Sequence, residues 1–126
     1  ARSPAGPLFF APTVLTGVTA EMDVVREEIF GPVAPLVRFA GEADAVRLAN
    51  DTPFGLAAYL FSGNLSRAWR VAEQLEAGMV GVNEGIISNE VAPFGGIKES
   101  GLGREGAAEG LEEYLETKYV CLGAIQ

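Results

Sequence analysis

The sequence predicts an α/β fold, and three observations carry that expectation. Segments of strand character alternate with segments of helical periodicity along the chain. Hydrophobic residues make up 48% and charged residues 21% of the 126 positions, a globular composition rather than a disordered one. No internal repeat or low-complexity tract interrupts the alternation. A domain of this length would bury roughly two-thirds of its unfolded surface.

The first stretch, Ala1 to Gly17, holds three prolines and two short apolar runs, Leu8-Phe9-Phe10 and Val14-Leu15, so short extended pieces are expected. Glu21 to Glu28 predicts a brief helical turn that stops where Gly31-Pro32 punctuates the chain. Val33 to Phe39 reads as a buried strand. Glu42 to Asn50 reads as a helix, with Ala45, Val46 and Ala49 on one side and Asn50 able to end it. After the Asp51-Thr52-Pro53 turn, Leu56 to Ser62 is apolar enough for a central strand.

The clearest helix is Leu65 to Ala77. Leu65, Ala68, Trp69, Ala72 and Leu75 form a stripe expected to face the core, while Arg67, Arg70, Glu73 and Gln74 face outward. Asn64 or Ser66 supplies the N-cap, and Gly78 is expected as a left-handed C-cap. Met79 to Asn83 predicts a short strand. Glu84 to Gly103 reads as a loop of a length uncommon unless it is functional. A helix from about Arg104 to Glu113, weakened by Gly106 and Gly110, leads into an alternating extended segment, Tyr114 to Leu122.

Composition removes several function classes. The net charge is −8, and the acidic residues gather late in the chain, which argues against a nucleic-acid partner. Absence of His removes Ser-His and Cys-His catalysis and most zinc sites, so no metal site is expected. The single Cys121 lies in an apolar alternating stretch and is expected to be buried and inert. A lone Cys also fits a reducing cytosol. No run of 18 apolar residues and no signal-peptide pattern occurs, so no membrane association is expected.

Two short motifs carry little weight. Gly101-Leu102-Gly103-Arg104-Glu105-Gly106 matches the dinucleotide fingerprint G-x-G-x-x-G. That fingerprint needs a strand directly before it and an acidic residue about 20 positions later, and neither is present. Pro93-Phe94-Gly95-Gly96-Ile97-Lys98 misses the Walker spacing, and its glycines are better explained by close backbone approach. Adjacent Glu27 and Glu28, read alone, are solvated surface.

Taken together, several segments resemble the aldehyde dehydrogenase superfamily. Glu27-Glu28-Ile29-Phe30-Gly31-Pro32 is similar to its E-E-x-F-G-P signature, and Phe54-Gly55-Leu56-Ala57-Ala58 to its Y-G-L-A-A/G segment. Residues 93–105 resemble its P-F-G-G-x-K-x-S-G-x-G-R-E loop, and Phe10-Ala11-Pro12-Thr13-Val14-Leu15 matches a further landmark. Gly78 to Ser88, and the ending Glu113 to Cys121, are most similar to succinate-semialdehyde dehydrogenases within that superfamily.

The resemblance implies the C-terminal part of a catalytic domain over residues 1–113, then an oligomerisation strand and tail over 114–126. It implies oxidation of succinate semialdehyde, or a similar acidic semialdehyde, to the carboxylic acid with NAD or NADP. In the family a cysteine thiolate attacks the aldehyde, hydride passes to the nicotinamide, and a Glu-activated water releases the acid. Those groups belong to upstream segments, so no catalytic residue is expected here, and the isolated segment is expected to be inactive and to hold no cofactor.

By the same resemblance, Glu28 meets the nicotinamide ribose hydroxyls and Phe30 packs beside the nicotinamide ring. Ser88 meets the distal carboxylate of the semialdehyde, and Phe94 forms a wall of the substrate tunnel. Residues 114–122 are implied to join a neighbouring subunit in a homo-oligomer. Alternatives are a segment of a glutarate-semialdehyde dehydrogenase, or a standalone non-catalytic module that works by strand pairing. The start Ala1-Arg2-Ser3, without Met, favours a segment over a module.

Overall fold

A computed structural model describes residues 4–124, so Ala1 to Ser3 and the last two residues of the tail lie outside the described part. The chain divides into two compact units, Ala1–Thr52 and Pro53–Gln126.

The first unit runs β1 (Thr13–Val18), α1 (Asp23–Arg26), β2 (Val33–Val37) and α2 (Glu42–Asn50). β1 pairs with β2 in parallel, with an irregular register between Leu15 and Val18. The expected helical turn is a single turn, because Glu27 has already returned to extended backbone at φ −96° and ψ 139°. α2 has the bounds its periodicity predicts. Asp44 secures its start: one carboxylate oxygen accepts from the Ala40 amide at 3.0 Å, the other from Arg47 at 2.7 Å. The Ala40 amide foremost, and Arg47 after it, hold the Asp44 carboxyl below the usual carboxylate range.

The second unit runs β3 (Phe54–Gly55), β4 (Ala57–Leu60), α3 (Leu65–Gln74), β5 (Met79–Val82), β6 (Ile97–Lys98) and α4 (Glu109–Glu112). β4 and β5 are parallel, in register from Ala57 opposite Met79 to Leu60 opposite Val82, with α3 as the crossover that parallel neighbours require. β3 pairs with β6 in antiparallel fashion. Asn64 caps α3, its side-chain oxygen accepting from the Arg67 amide at 2.9 Å.

Several expectations are corrected. α3 ends at Gln74 rather than Ala77, because Leu75 turns to extended backbone at φ −74° and ψ 124°. Gly78 is therefore not a left-handed cap, and its φ is not among the positive ones. It is glycine for a different reason: a Cβ there would collide with the Gly95 carbonyl oxygen and come within 2.8 Å of Gly96 Cα. Trp69 is 68% exposed rather than core, while Ala68 beside it is 3% exposed. Helical spacing set the shared stripe, but α3 rests on β5 through only part of it.

The loop expected over Glu84 to Gly103 contains β6, and a bridge ties Phe94, in its middle, to Glu105, two residues past its expected end. The helix expected from Arg104 shrinks to α4, since positive φ at Gly106 (68°) and Ala107 (49°) stops it from starting earlier. Beyond α4, Tyr114 to Leu122 is exposed along its length and has no strand pairing among the described residues. Cys121, expected to be buried, is consequently exposed.

The accessible surface is 10170 Å² for a 13.2 kDa chain. A compact monomer of that mass would expose about 6,400 Å², and even two separate half-size globules about 7,700 Å². Among the described residues only Val18 and Ala68 are buried apolar side chains, while Phe10, Phe39, Phe61 and Trp69 are all exposed.

Gly78→Ala should lower the stability of the chain by about 2 kcal/mol or more, since the added carbon meets backbone rather than a side chain that can move. Gly63→Ala, where nothing lies within 4 Å of the added carbon, should stay within about 0.5 kcal/mol. Chemical denaturation of the two variants side by side checks the difference, and equal losses would remove the collision as the cause.

Candidate functional site

Glu28 and Phe30 lie in the connection between α1 and β2 of the first unit. Hydrogen bonds hold both ends of that connection. The Glu27 amide donates to the Asp23 carbonyl at 2.8 Å, and at the far end the Thr13 amide of β1 donates to the Pro32 carbonyl at 2.9 Å. Between these anchors Glu28 is exposed, and Phe30 is 96% exposed. An aromatic ring left almost wholly in water on an anchored segment is available for stacking or packing.

Ser88 and Phe94 lie in the second unit, on the chain that leaves β5. Asn83 takes a left-handed backbone at φ 54°, and its carboxamide pairs with the Ser62 backbone in both directions. The Ser62 amide donates to Asn83 Oδ1 at 2.8 Å, and Asn83 Nδ2 donates to the Ser62 carbonyl at 3.0 Å. The next residue, Glu84, turns its carboxylate back to accept from the Gly85 and Ile86 amides at 2.8 and 3.1 Å. Ile87 then returns to β5. A Cβ on buried Gly81 would lie 3.0 Å from the Ile87 methyl and 2.7 Å from both the Glu84 carbonyl oxygen and the Tyr59 ring.

Ser88 follows directly and is exposed, with no hydrogen bond to its hydroxyl among the described residues. Asn89 starts the next turn, its side-chain oxygen accepting from the Val91 amide at 3.0 Å. Phe94 is half-buried and fixed by a reciprocal backbone pair with Glu105, at 2.8 and 2.7 Å.

Phe94 also lines an open cleft of about 660 Å³ together with Leu56, Leu102, Arg104, Leu111 and Tyr114. Ser88 is not among the cleft's lining residues, so the structure does not bring the two substrate candidates together there. Arg104 staples the glycine loop beneath the cleft: one guanidinium nitrogen donates to the Gly96 carbonyl at 2.8 Å and to the Gly103 carbonyl at 2.6 Å. Asn83, Gly81 and Arg104 went unremarked as positioning residues in the sequence. All three lay in segments quoted for the family resemblance, but their partners are set by chain crossings remote in sequence.

The glycines at 101, 103 and 106 do not form a phosphate cradle. The two-residue β6 lies before them, a turn intervenes, and no helix opens on Gly106, since α4 begins only at Glu109. The Glu113 carboxylate lies against Gly103, with both oxygens 2.8 Å from the place a Cβ would take. A phosphate arriving there would meet like charge. Among the described residues no group of His, Cys, Asp and Glu could hold a metal ion, and no helix is long and apolar enough to cross a membrane.

Residues 2–120 match the profile of the aldehyde dehydrogenase family. The chain is 63% identical over 118 residues to an Escherichia coli protein named succinate-semialdehyde dehydrogenase [NADP(+)], a match covering 94% of this chain and 24% of that protein. It is 59% identical over 120 residues to a Pseudomonas aeruginosa glutarate-semialdehyde dehydrogenase, covering 95% of this chain and 25% of the relative. The crystal structure of succinate-semialdehyde dehydrogenase from Burkholderia pseudomallei superposes with a TM-score of 0.92 at 63% identity, over 98% of this chain and 26% of that one. The chain thus spans about a quarter of the length of the relatives it matches.

From the geometry around Gly103, calorimetric titration of the isolated chain with NAD or NADP should show no saturable binding through residues 101–106. Stoichiometric micromolar binding that a Gly103→Ala substitution abolishes would restore the phosphate cradle.

Proposed function

The chain belongs to the aldehyde dehydrogenase family, and we propose that it is the C-terminal quarter of an NAD- or NADP-dependent semialdehyde dehydrogenase. Its proposed substrate is succinate semialdehyde or a closely similar acidic semialdehyde, oxidised to the carboxylic acid. The observation that carries this reading is the superposition on a succinate-semialdehyde dehydrogenase at 63% identity over 98% of the chain. The surplus of exposed surface supports it, since faces such as those bearing Phe39 and Trp69 are then covered by the rest of the enzyme.

In this reading the chain binds and orients, and the nucleophile comes from elsewhere in the enzyme. When bound, a nicotinamide cofactor supplies the hydride acceptor. Glu28 fits the ribose because an ionised carboxylate accepts from two neighbouring hydroxyls, and it is exposed on an anchored segment. Phe30 offers a ring face for the nicotinamide. Ser88 offers a hydroxyl donor to the distal carboxylate, and Phe94 offers an apolar wall whose backbone cannot drift. Cys121, exposed in the terminal segment, takes no part in the chemistry and fits a reducing cytosol. Residues 1–113 belong to the catalytic domain, and the exposed residues 114–122 add to a neighbouring subunit's sheet in a homo-oligomer. The segment alone has no turnover.

Glutarate semialdehyde is the second reading, favoured by the 59% identity to an enzyme of that name. One methylene separates the two substrates, a difference worth about 1–3 kcal/mol in a pocket. The ratio of kcat/KM for the two aldehydes on the complete enzyme decides between them.

Ser88→Ala in the complete enzyme should raise KM for succinate semialdehyde about tenfold, the scale of one hydrogen bond to a charged group. KM for butyraldehyde, which has no carboxylate, should change less than about twofold. Steady-state kinetics with both aldehydes checks this, and equal effects would leave Ser88 a structural loop residue.

A further inference from the structure

We propose that Asn83 is a positioning residue for substrate selection, acting by holding the Ser88 loop in its binding geometry. The proposal rests on the assignment of Ser88 to the distal carboxylate and adds the residue that makes that assignment effective.

Asn83 marks the end of β5 and the start of the loop that carries Ser88. Three bonds tie it to the last residue of β4 and the chain just beyond it. Its amide donates to the Leu60 carbonyl at 2.8 Å, Ser62 donates to its Oδ1 at 2.8 Å, and its Nδ2 donates to the Ser62 carbonyl at 3.0 Å. The side-chain pair thus adds one more rung where the parallel strands separate, although the residue itself has left strand geometry at φ 54°. That φ aims the following peptide out of the sheet, and only Gly, Asn and Asp adopt it at modest cost.

Downstream, the Glu84 carboxylate closes a turn on the Gly85 and Ile86 amides, and Ile87 docks beside Gly81. The five-residue excursion is therefore held at both ends, by the Asn83 carboxamide and by Ile87. Ser88 is the first exposed residue after the second anchor. A loop ordered before substrate arrives spares the substrate the entropic cost of ordering it. Releasing the first anchor transfers that cost to whichever substrate uses Ser88, and only to that one.

The test compares Asn83→Gly, Asn83→Asp and Ser88→Ala in the complete enzyme. Glycine tolerates the φ and removes only the carboxamide, whereas Asp keeps the acceptor for the Ser62 amide and loses the donor. Asn83→Gly is expected to raise KM for succinate semialdehyde about fivefold or more, from the loss of two backbone partners, with Asn83→Asp in between. For both variants, kcat and KM with butyraldehyde should remain near their unsubstituted values. Amide hydrogen exchange at Gly85 and Ile86 should quicken in Asn83→Gly. If Asn83→Gly shifts KM for both aldehydes alike, or for neither, while Ser88→Ala stays selective, Asn83 has no positioning role. If Ser88→Ala itself is unselective, the Ser88 assignment fails instead. Should Asn83→Gly not fold, Asn83→Asp decides on the same two substrates.

Discussion

The second unit depends on a place where main chain crosses main chain with no side chain between. Gly55, Gly78, Gly95 and Gly96 meet there. The Gly78 amide donates to the Gly55 carbonyl at 2.9 Å, and the Gly95 carbonyl occupies the space a Gly78 side chain would need. Gly96 is buried, and a Cβ on it would lie 3.2 Å from the Gly55 carbonyl oxygen. Around this crossing the remaining donors find partners. The Gly55 amide donates to Ser100 Oγ at 2.9 Å, Arg104 bridges the Gly96 and Gly103 carbonyls, and Lys98 Nζ lies 2.6 Å from a Glu76 carboxylate oxygen. β3, the start of β5, β6 and the glycine loop are thereby fixed against one another. Side-chain burial contributes little at this point, so close packing of backbone does the fixing.

That arrangement explains how a unit with so little apolar core can hold its loops in place. The loop after β5 starts from a strand locked by the crossing and is held at two further points, so Ser88 projects from an anchored base. Phe94 is held one step from the crossing by its backbone pair with Glu105. In the first unit the same role falls to the pairing of β1 with the end of the Glu28–Phe30 segment through Thr13 and Pro32. In both units anchored loops lie beside exposed apolar faces, in keeping with the proposed place of the chain as the C-terminal quarter of a larger enzyme.

Much of the regular structure could be read in the sequence, and the reasons it could are local. α2 has the predicted bounds because its periodicity is unbroken, and α3 starts where Asn64 offers a cap. β2 and β5 follow from short apolar runs between turn residues. What escaped depends on distant chain. β3 and β6 are two residues each and carry no periodicity. Gly78 looked like a helix cap because its true neighbours, Gly95 and Gly96, are remote in sequence. The pairing of Asn83 with Ser62 spans 21 positions. Trp69 and Cys121 show a further limit: spacing tells which residues share a face but not what covers that face. At the site, residue chemistry alone pointed to no role for Glu28, Phe30, Ser88 or Phe94, and those assignments came from family resemblance. Their anchoring became visible only in three dimensions.

In the proposed function this chain presents Ser88 to a carboxylate-bearing aldehyde. A crystal structure of the complete enzyme with succinate semialdehyde bound, its nucleophile removed by substitution, tests that claim most directly. Ser88 Oγ is expected within about 3.0 Å of a distal carboxylate oxygen, the usual span of an O–H···O bond. A distal carboxylate bound away from residues 84–88, with Ser88 facing solvent, would contradict it.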